Sequence, residues 1–363
     1  MLSDTIVRPR RNTRQIRVGQ VPVGGNAPIS VQSMTNTRTQ DVAATVSQIK
    51  RLAAAGCDII RVAVPDEVAA AAVAQIKRDI DIPLIADIHF DYRLAISAAE
   101  AGADGLRINP GNIGADRKVK AVVTCARDKG IPIRIGVNAG SLEKELLKKH
   151  GGATAEAMVE SALRQVERLR AWDFHDIKVS LKASDVSRTV TAYRLLSKET
   201  DLPLHLGVTE AGGLYPGIVK SALGIGMLLA EGIGDTIRVS LTRDPVEEIR
   251  TGFEILGALG IRRRGIEIIS CPTCGRCNID LFGILEKVEK ALMTRSVAIK
   301  VAIMGCIVNG PGEAREADIG IAGGDDTGIL FRKGKVIKTV PQKDLVDVLL
   351  EEVTKMEKDH ATS

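Results

Sequence analysis

Pro83-Leu84-Ile85-Ala86-Asp87-Ile88-His89 and, one helical stretch later, Gly102-Ala103-Asp104-Gly105-Leu106-Arg107-Ile108-Asn109-Pro110 are the segments whose reading decides the fold. Each is a short aliphatic run that begins at a turn. Between them lies an Ala-rich segment whose apolar residues recur at helical spacing, so together they read as βα units of a parallel sheet. The same pattern extends in both directions, with strands predicted at 29–34, 58–64, 83–89, 105–110, 132–137, 176–182, 204–210 and 236–241. Several follow Gly-Cys-Asp, Gly-Ala-Asp or Gly-Ile-Pro turns at Gly56, Gly102 and Gly130, and helical patterns such as 42–55 and 154–170 lie between them. Eight consecutive units favour a closed (β/α)8 barrel of TIM type over an open sheet.

Polar residues near the strand ends repeat at even spacings, two apart for Asp87 with His89, Arg107 with Asn109, Ser180 with Lys182 and Arg238 with Ser240, and four apart for Arg134 with Asn138. Strand side chains alternate in direction, and helices cover the outside of a barrel, so each pair shares one face. Placing these groups beneath the helices would bury them unpaired at several kcal/mol each; pointing them into the barrel mouth avoids that. Barrel enzymes keep their active sites at that end. Arg61, Arg107, Arg134, Lys182 and Arg238 converging there would suit a polyanionic small molecule such as a diphosphate. The alternative is that these cations form structural ion pairs with Asp87, Glu210 and other acids. Glu210 is expected to end the seventh strand, before Ala211-Gly212-Gly213. Among so many cations it would stay ionised until a bound anion neutralised them, and could then deliver a proton.

Composition agrees with this outline. The 363 residues suit a barrel plus a smaller domain, divided here at 1–264 and 265–363. With 45% hydrophobic, 26% charged and 2% aromatic residues, the chain reads as globular, with a core of Ala, Val, Ile and Leu. So few aromatics and a net charge of +5 point to an anionic small molecule rather than nucleic acid. The basic N-terminal run has no apolar stretch behind it, so no signal peptide is expected. The apolar segment 218–233 is short and interrupted by glycines, and is expected to be a buried helix rather than a membrane span. A reducing, cytoplasmic setting is expected, because four of the six cysteines crowd into positions 271–306 instead of forming a disulfide framework.

Those cysteines occupy a second domain, predicted as a strand at 266–269, a helix at 280–292, a strand at 297–304, short strands over 319–340 and a closing helix at 343–358. Cys271-Pro272-Thr273-Cys274-Gly275-Arg276-Cys277 follows the first strand, and Gly305-Cys306-Ile307-Val308-Asn309-Gly310-Pro311-Gly312-Glu313 follows the second. Loops at equivalent strand ends lie side by side. Cys271 and Cys274 could therefore grip one metal centre with Cys306, and the Gly-Pro-Gly bend could return Glu313 as an oxygen ligand. A structural zinc fits the same thiols but leaves Glu313 unexplained. Cys57 and Cys125 sit in apolar βα patterns as core thiols.

The two loops, together with Thr209-Glu210-Ala211-Gly212, resemble the 4-hydroxy-3-methylbut-2-enyl diphosphate synthases of non-mevalonate isoprenoid biosynthesis, a likeness that covers essentially the whole chain. The resemblance implies a [4Fe–4S] cluster on Cys271, Cys274, Cys306 and Glu313, making the C-terminal unit a small α+β iron–sulfur domain. A carboxylate is displaced more easily than a thiolate, which would leave one iron open to substrate. It further implies 2-C-methyl-D-erythritol 2,4-cyclodiphosphate as substrate, held by the arginines and Lys182, with Asp87, His89, Asn138 and Ser240 in the pocket. Glu210 would donate a proton to the leaving hydroxyl, Asn309 would organise the cluster loop, and reduced flavodoxin or ferredoxin would supply electrons. Members of the family act as head-to-tail homodimers, the cluster domain of one subunit capping the other's barrel. Cys277 is an addition that the family pattern does not require. Two competing readings remain: a pterin-type barrel with a zinc-stabilised appendage, and a non-catalytic iron–sulfur sensor.

Overall fold

The computed structural model describes residues 6–293, 295, 297–307, 312 and 314–361. The chain divides into two compact units, Met1–Arg262 and Arg263–Ser363.

The first unit is the (β/α)8 barrel. Its strands are β3 (Ser30–Met34), β4 (Ile59–Ala63), β5 (Leu84–Asp87), β6 (Gly105–Ile108), β7 (Ile133–Asn138), β8 (Ile177–Lys182), β9 (His205–Leu206) and β10 (Thr236–Ile237), all parallel. A parallel bridge between Val179 and Leu204 closes the ring. Ile60, Val62, Leu84 and Ala86 are buried in the layer between strands and helices, so the alternate positions face inward. Asp41, Asp66, Asp91, Thr154, Asp185 and Asp244 each cap the following helix, their side-chain oxygens accepting a backbone N–H of its first turn.

Two features depart from the sequence reading. The strands expected at 204–210 and 236–241 pair for only two residues each. Glu210 therefore lies in a loop, well past the end of β9. The helix Leu214–Ala230 is not wholly buried either: Tyr215, Val219, Leu223 and Met227, at intervals of four, form an exposed apolar row.

An N-terminal hairpin, β1 (Ile16–Val18) with β2 (Val21–Val23), went unanticipated. Ile16, Val18 and Val23 pack on Ile59 and Ile85, the inward residues at the start of β4 and β5, and so seal the barrel floor. The basic run before it is structural. Arg10 donates to Asp235 at 2.9 Å, and Arg11 to the carbonyl oxygen of Leu202 at 2.6 Å.

The second unit is a five-stranded sheet of β11 (Glu267–Ser270), β12 (Lys300–Met304), β13 (Ile319–Gly323), β14 (Thr327–Arg332) and β15 (Lys335–Pro341), in chain order. The first three are parallel and the last three antiparallel. The helices Leu281–Leu292 and Leu345–Ala361 bury Val288, Leu292, Leu345, Leu349 and Val353 against Val301, Ile303, Ile319 and Ile321. The strand expected from 297 begins at Lys300.

Candidate active site

Parity and register build the barrel site. Arg61 on β4, Asp87 on β5, Arg107 on β6, Arg134 on β7 and Lys182 on β8 all occupy inward positions and are buried, and Arg238 follows β10. Asp87 is the hub. It accepts a hydrogen bond from Arg107 Nη1 at 3.1 Å and lies 3.5 Å from Arg61 Nε. Burial alone would raise its carboxyl, but Arg61, Arg107 and Arg134 outweigh that and hold it at about 2. Arg238 reaches Glu248 at 3.5 Å, while Glu248 also accepts from Ser33 Oγ at 3.2 Å and Leu241 N at 3.1 Å. Part of the ion-pair reading is therefore realised.

The pairing is incomplete. Arg107 Nε, Arg134 Nε and Nη1, and Arg238 Nε are buried without a hydrogen-bond partner among the described residues. Burial and then the neighbouring arginines push Arg134 and Lys182 well below their ordinary values, and burial lowers Arg61 to about 10 against the pull of Asp87. Cations held this close, with Asp87 as their buried shared acid, make a site short of negative charge. Gly136 creates room, since a Cβ there would stand 2.6 Å from Arg107 Nε, while one at Gly207 would meet the Arg238 carbonyl oxygen at 2.6 Å.

Other predicted residues lie at the margin. His89 is just beyond β5 and about half exposed, 3.9 Å from Asp87. Asn138 ends β7 and Ser240 follows β10, both half-buried. The Asn109 side chain accepts from Gly111 N at 3.1 Å, capping a short helix. Glu210 is exposed and makes no ion pair among the described residues. Its φ of 52° is left-handed, which is uncommon for a residue with a side chain and persists only where the surroundings impose it.

Sequence reading missed a deeper tier: Ser30 and Gln32 on β3, Lys178 on β8 and His205 on β9, all buried with unpartnered side-chain atoms. Lys178 extends the Ser180–Lys182 alternation by one more step, and that extension is the signal that could have found it.

In the second unit, β11 and β12 run parallel with Ser270 opposite Ile303, which sets the two cysteine loops next to each other. Gly305 N–H donates to Cys271 Sγ at 3.2 Å, and Asn278 N–H donates to the Gly305 carbonyl oxygen at 3.2 Å. Cys277 Sγ donates to Ile279 O at 3.4 Å and fills the space a Cβ on Gly305 would need. Cys274 is exposed and Cys306 half-buried. Among the described residues no three ligand side chains converge on one point. Asn309 and Glu313 lie outside the described residues. Soft thiols on adjacent loops, one already receiving a backbone N–H, fit an iron–sulfur centre, whose potential responds to such hydrogen bonds.

Fold and site thus define a class: a TIM-type barrel enzyme with a cation-lined interior, followed by a cysteine-loop domain. The chain belongs to the GcpE family, the GcpE TIM-barrel domain matching residues 13–253 and the GcpE protein C-terminal domain residues 267–355. It is 62% identical over 347 residues to the 4-hydroxy-3-methylbut-2-en-1-yl diphosphate synthase (flavodoxin) of Geobacter sulfurreducens, covering 96% of this chain and 98% of that one. It is 59% identical to the enzyme of that name from Caldanaerobacter subterraneus, covering 98% and 100%. Among solved structures, dihydropteroate synthase from Stenotrophomonas maltophilia matches 68% of this chain and 98% of its own, at 12% identity and a TM-score of 0.50, a likeness of barrel fold alone.

Proposed function

We propose that this chain catalyses the reductive ring opening and dehydration of 2-C-methyl-D-erythritol 2,4-cyclodiphosphate to 4-hydroxy-3-methylbut-2-enyl diphosphate, with flavodoxin as the electron donor. One observation carries the reading. Buried Arg61, Arg107, Arg134 and Lys182, with Arg238, share too few acids, and a diphosphate supplies the missing charge. The curated names of relatives at about 60% identity over nearly the full length support the reaction.

In this reading 1–264 binds the substrate and 265–363 carries a [4Fe–4S] cluster on Cys271, Cys274, Cys306 and Glu313. When bound, the cluster would pass the two electrons from flavodoxin to the substrate, one at a time. The chain's own residues do the rest. Arg61, Arg107, Arg134, Lys182 and Arg238 grip the diphosphate, and they continue to hold its charge as the C–O bond to phosphate breaks. Asp87 orients Arg61 and Arg107, while His89, Asn138 and Ser240 line the rim. Glu210 protonates the departing hydroxyl, which leaves as water. Asn309 organises the cluster loop.

Partner and compartment complete the proposal. The enzyme works in the cytoplasm as a head-to-tail homodimer, without nucleic acid or membrane. No helix among the described residues is long and apolar enough to cross a membrane, and the exposed row Tyr215, Val219, Leu223 and Met227 supports assembly. Anaerobic purification tests the whole reading: about four iron and four sulfide per chain, with turnover of the cyclodiphosphate by reduced flavodoxin, is expected. Colourless protein carrying one zinc would overturn it. Mixing Glu210→Ala with Cys271→Ala subunits tests the dimer, since sharing between chains should restore activity in the heterodimer.

A further inference from the structure

Lys178 is the second residue of β8, and its register partner is Arg134 on β7. The side chain is 2% exposed, and its Nζ has no hydrogen-bond partner among the described residues. Its charged and titratable surroundings are Arg134 from β7, His205 from β9, Lys182 on its own strand and Asp235 before β10. Of these only Asp235 is an acid, and it is already engaged by Arg10, Thr13 Oγ at 3.0 Å and Leu204 N at 2.8 Å. His205 cannot offer compensating charge. Its Nδ1 meets Thr236 Oγ1, its Nε2 is unpartnered, and burial with Arg134, Lys182 and Lys178 nearby keeps it neutral. An ammonium sealed from water beside an arginine is strongly disfavoured unless an anion joins it.

We infer that at mildly alkaline pH Lys178 is mostly an uncharged amine in the unliganded barrel and gains close to one proton from solvent when the diphosphate settles against Arg134, making it a positioning residue whose charge follows substrate occupancy. This rests on the diphosphate reading of the site. Burial first, then Arg134, brings the Lys178 ammonium down to about 7 in the empty barrel, with Asp235 opposing. A bound dianion reverses the local field and raises it, so protonation and binding are linked. Because its folded pKa rises on binding, the contribution to affinity is fully present below about pH 7 and is lost as pH climbs towards the liganded value. The ligand adds no proton traffic of its own, because each phosphate of a cyclic diphosphate bears a single strongly acidic ionisation. Burial and the neighbouring arginines lower Lys182 as well, and any uptake there is common to both proteins, so the signature of Lys178 is a difference between variants.

Calorimetry of the oxidised holoenzyme with the cyclodiphosphate, without reductant and at pH 8 in two buffers of different ionisation enthalpy, counts the protons taken up. Lys178→Met should bind with close to one proton fewer than the wild type, and with a flatter pH dependence of Kd. His205→Asn should keep the full uptake. Equal uptake in Lys178→Met and wild type would overturn the inference. The pH profiles offer an independent check, because between pH 7 and 9 the wild-type Kd should weaken by up to about tenfold per unit more than that of Lys178→Met; equal slopes also overturn it. A wild type that does not bind the cyclodiphosphate at all would instead refute the function proposed above.

Discussion

In the barrel, Arg107 meets Asp87 at 3.1 Å because β5 and β6 are hydrogen-bonded neighbours with those two residues in register. The cysteine loops share only the first half of that logic. Parallel β11 and β12 bring them side by side, yet Cys274 stays exposed, and no three ligands converge among the described residues. One site is held under tension by rigid strands before any ligand arrives. The other, in the proposed reading, consists of donors on loops whose geometry metal binding would complete, since metal binding and local folding are coupled. Electrostatic binding gains from charges fixed in advance, whereas thiolates must adapt to the centre they hold.

The largest effect that would break the comparison is at the loops. Cys274→Ser should remove the visible chromophore and reduce turnover to background while leaving barrel binding of the cyclodiphosphate intact; retention of the chromophore would mean that exposed Cys274 is no ligand. Next, Arg134→Met removes a buried cation whose Nε and Nη1 have no hydrogen-bond partner among the described residues. Thermal melting should show the unliganded barrel stabilised by about 1–3 kcal/mol, while calorimetry shows affinity weakened about 30-fold or more. A variant both less stable and weaker would show that Arg134 is not held under tension.

Smaller effects sharpen the contrast. Asp87 is depressed to about 2 from an ordinary 3.8, so it contributes stability above pH 4 that is lost as pH falls through about 2. The size is about 2 kcal/mol, and it should disappear from acid unfolding curves of Asp87→Asn. Smallest of all, Cys277→Ser should leave the chromophore intact and change stability by under about 1 kcal/mol, because a serine hydroxyl can keep the bond to Ile279 O and the place beside Gly305.

Reading the sequence located the barrel strands because alternation and helical spacing are local consequences of backbone geometry. Arg61, Asp87, Arg107, Arg134 and Lys182 were found by the same argument, and all prove buried and inward. The argument ran out where local pattern carries no signal. Pairing of β9 ends at Leu206, although the aliphatic run continues to Val208, so Glu210 lies in a left-handed loop rather than on a strand. Nothing in Ile16-Arg17-Val18 announces that it will seal the barrel floor. The exposed row on Leu214–Ala230 was likewise hidden, since mean apolarity does not say which face a neighbour covers.

By itself, then, the sequence determined the βα repeat, the parity of the charged residues and the two cysteine loops, because covalent spacing along strand and turn dictates each of them. Only the tertiary structure decided that Asp87 serves both Arg61 and Arg107, that Gly136 yields space to the Arg107 guanidinium, and that Lys178 lies sealed beside Arg134. Those facts depend on closing the ring, which brings residues far apart in the chain within a few ångströms in a medium too poor in water to screen them.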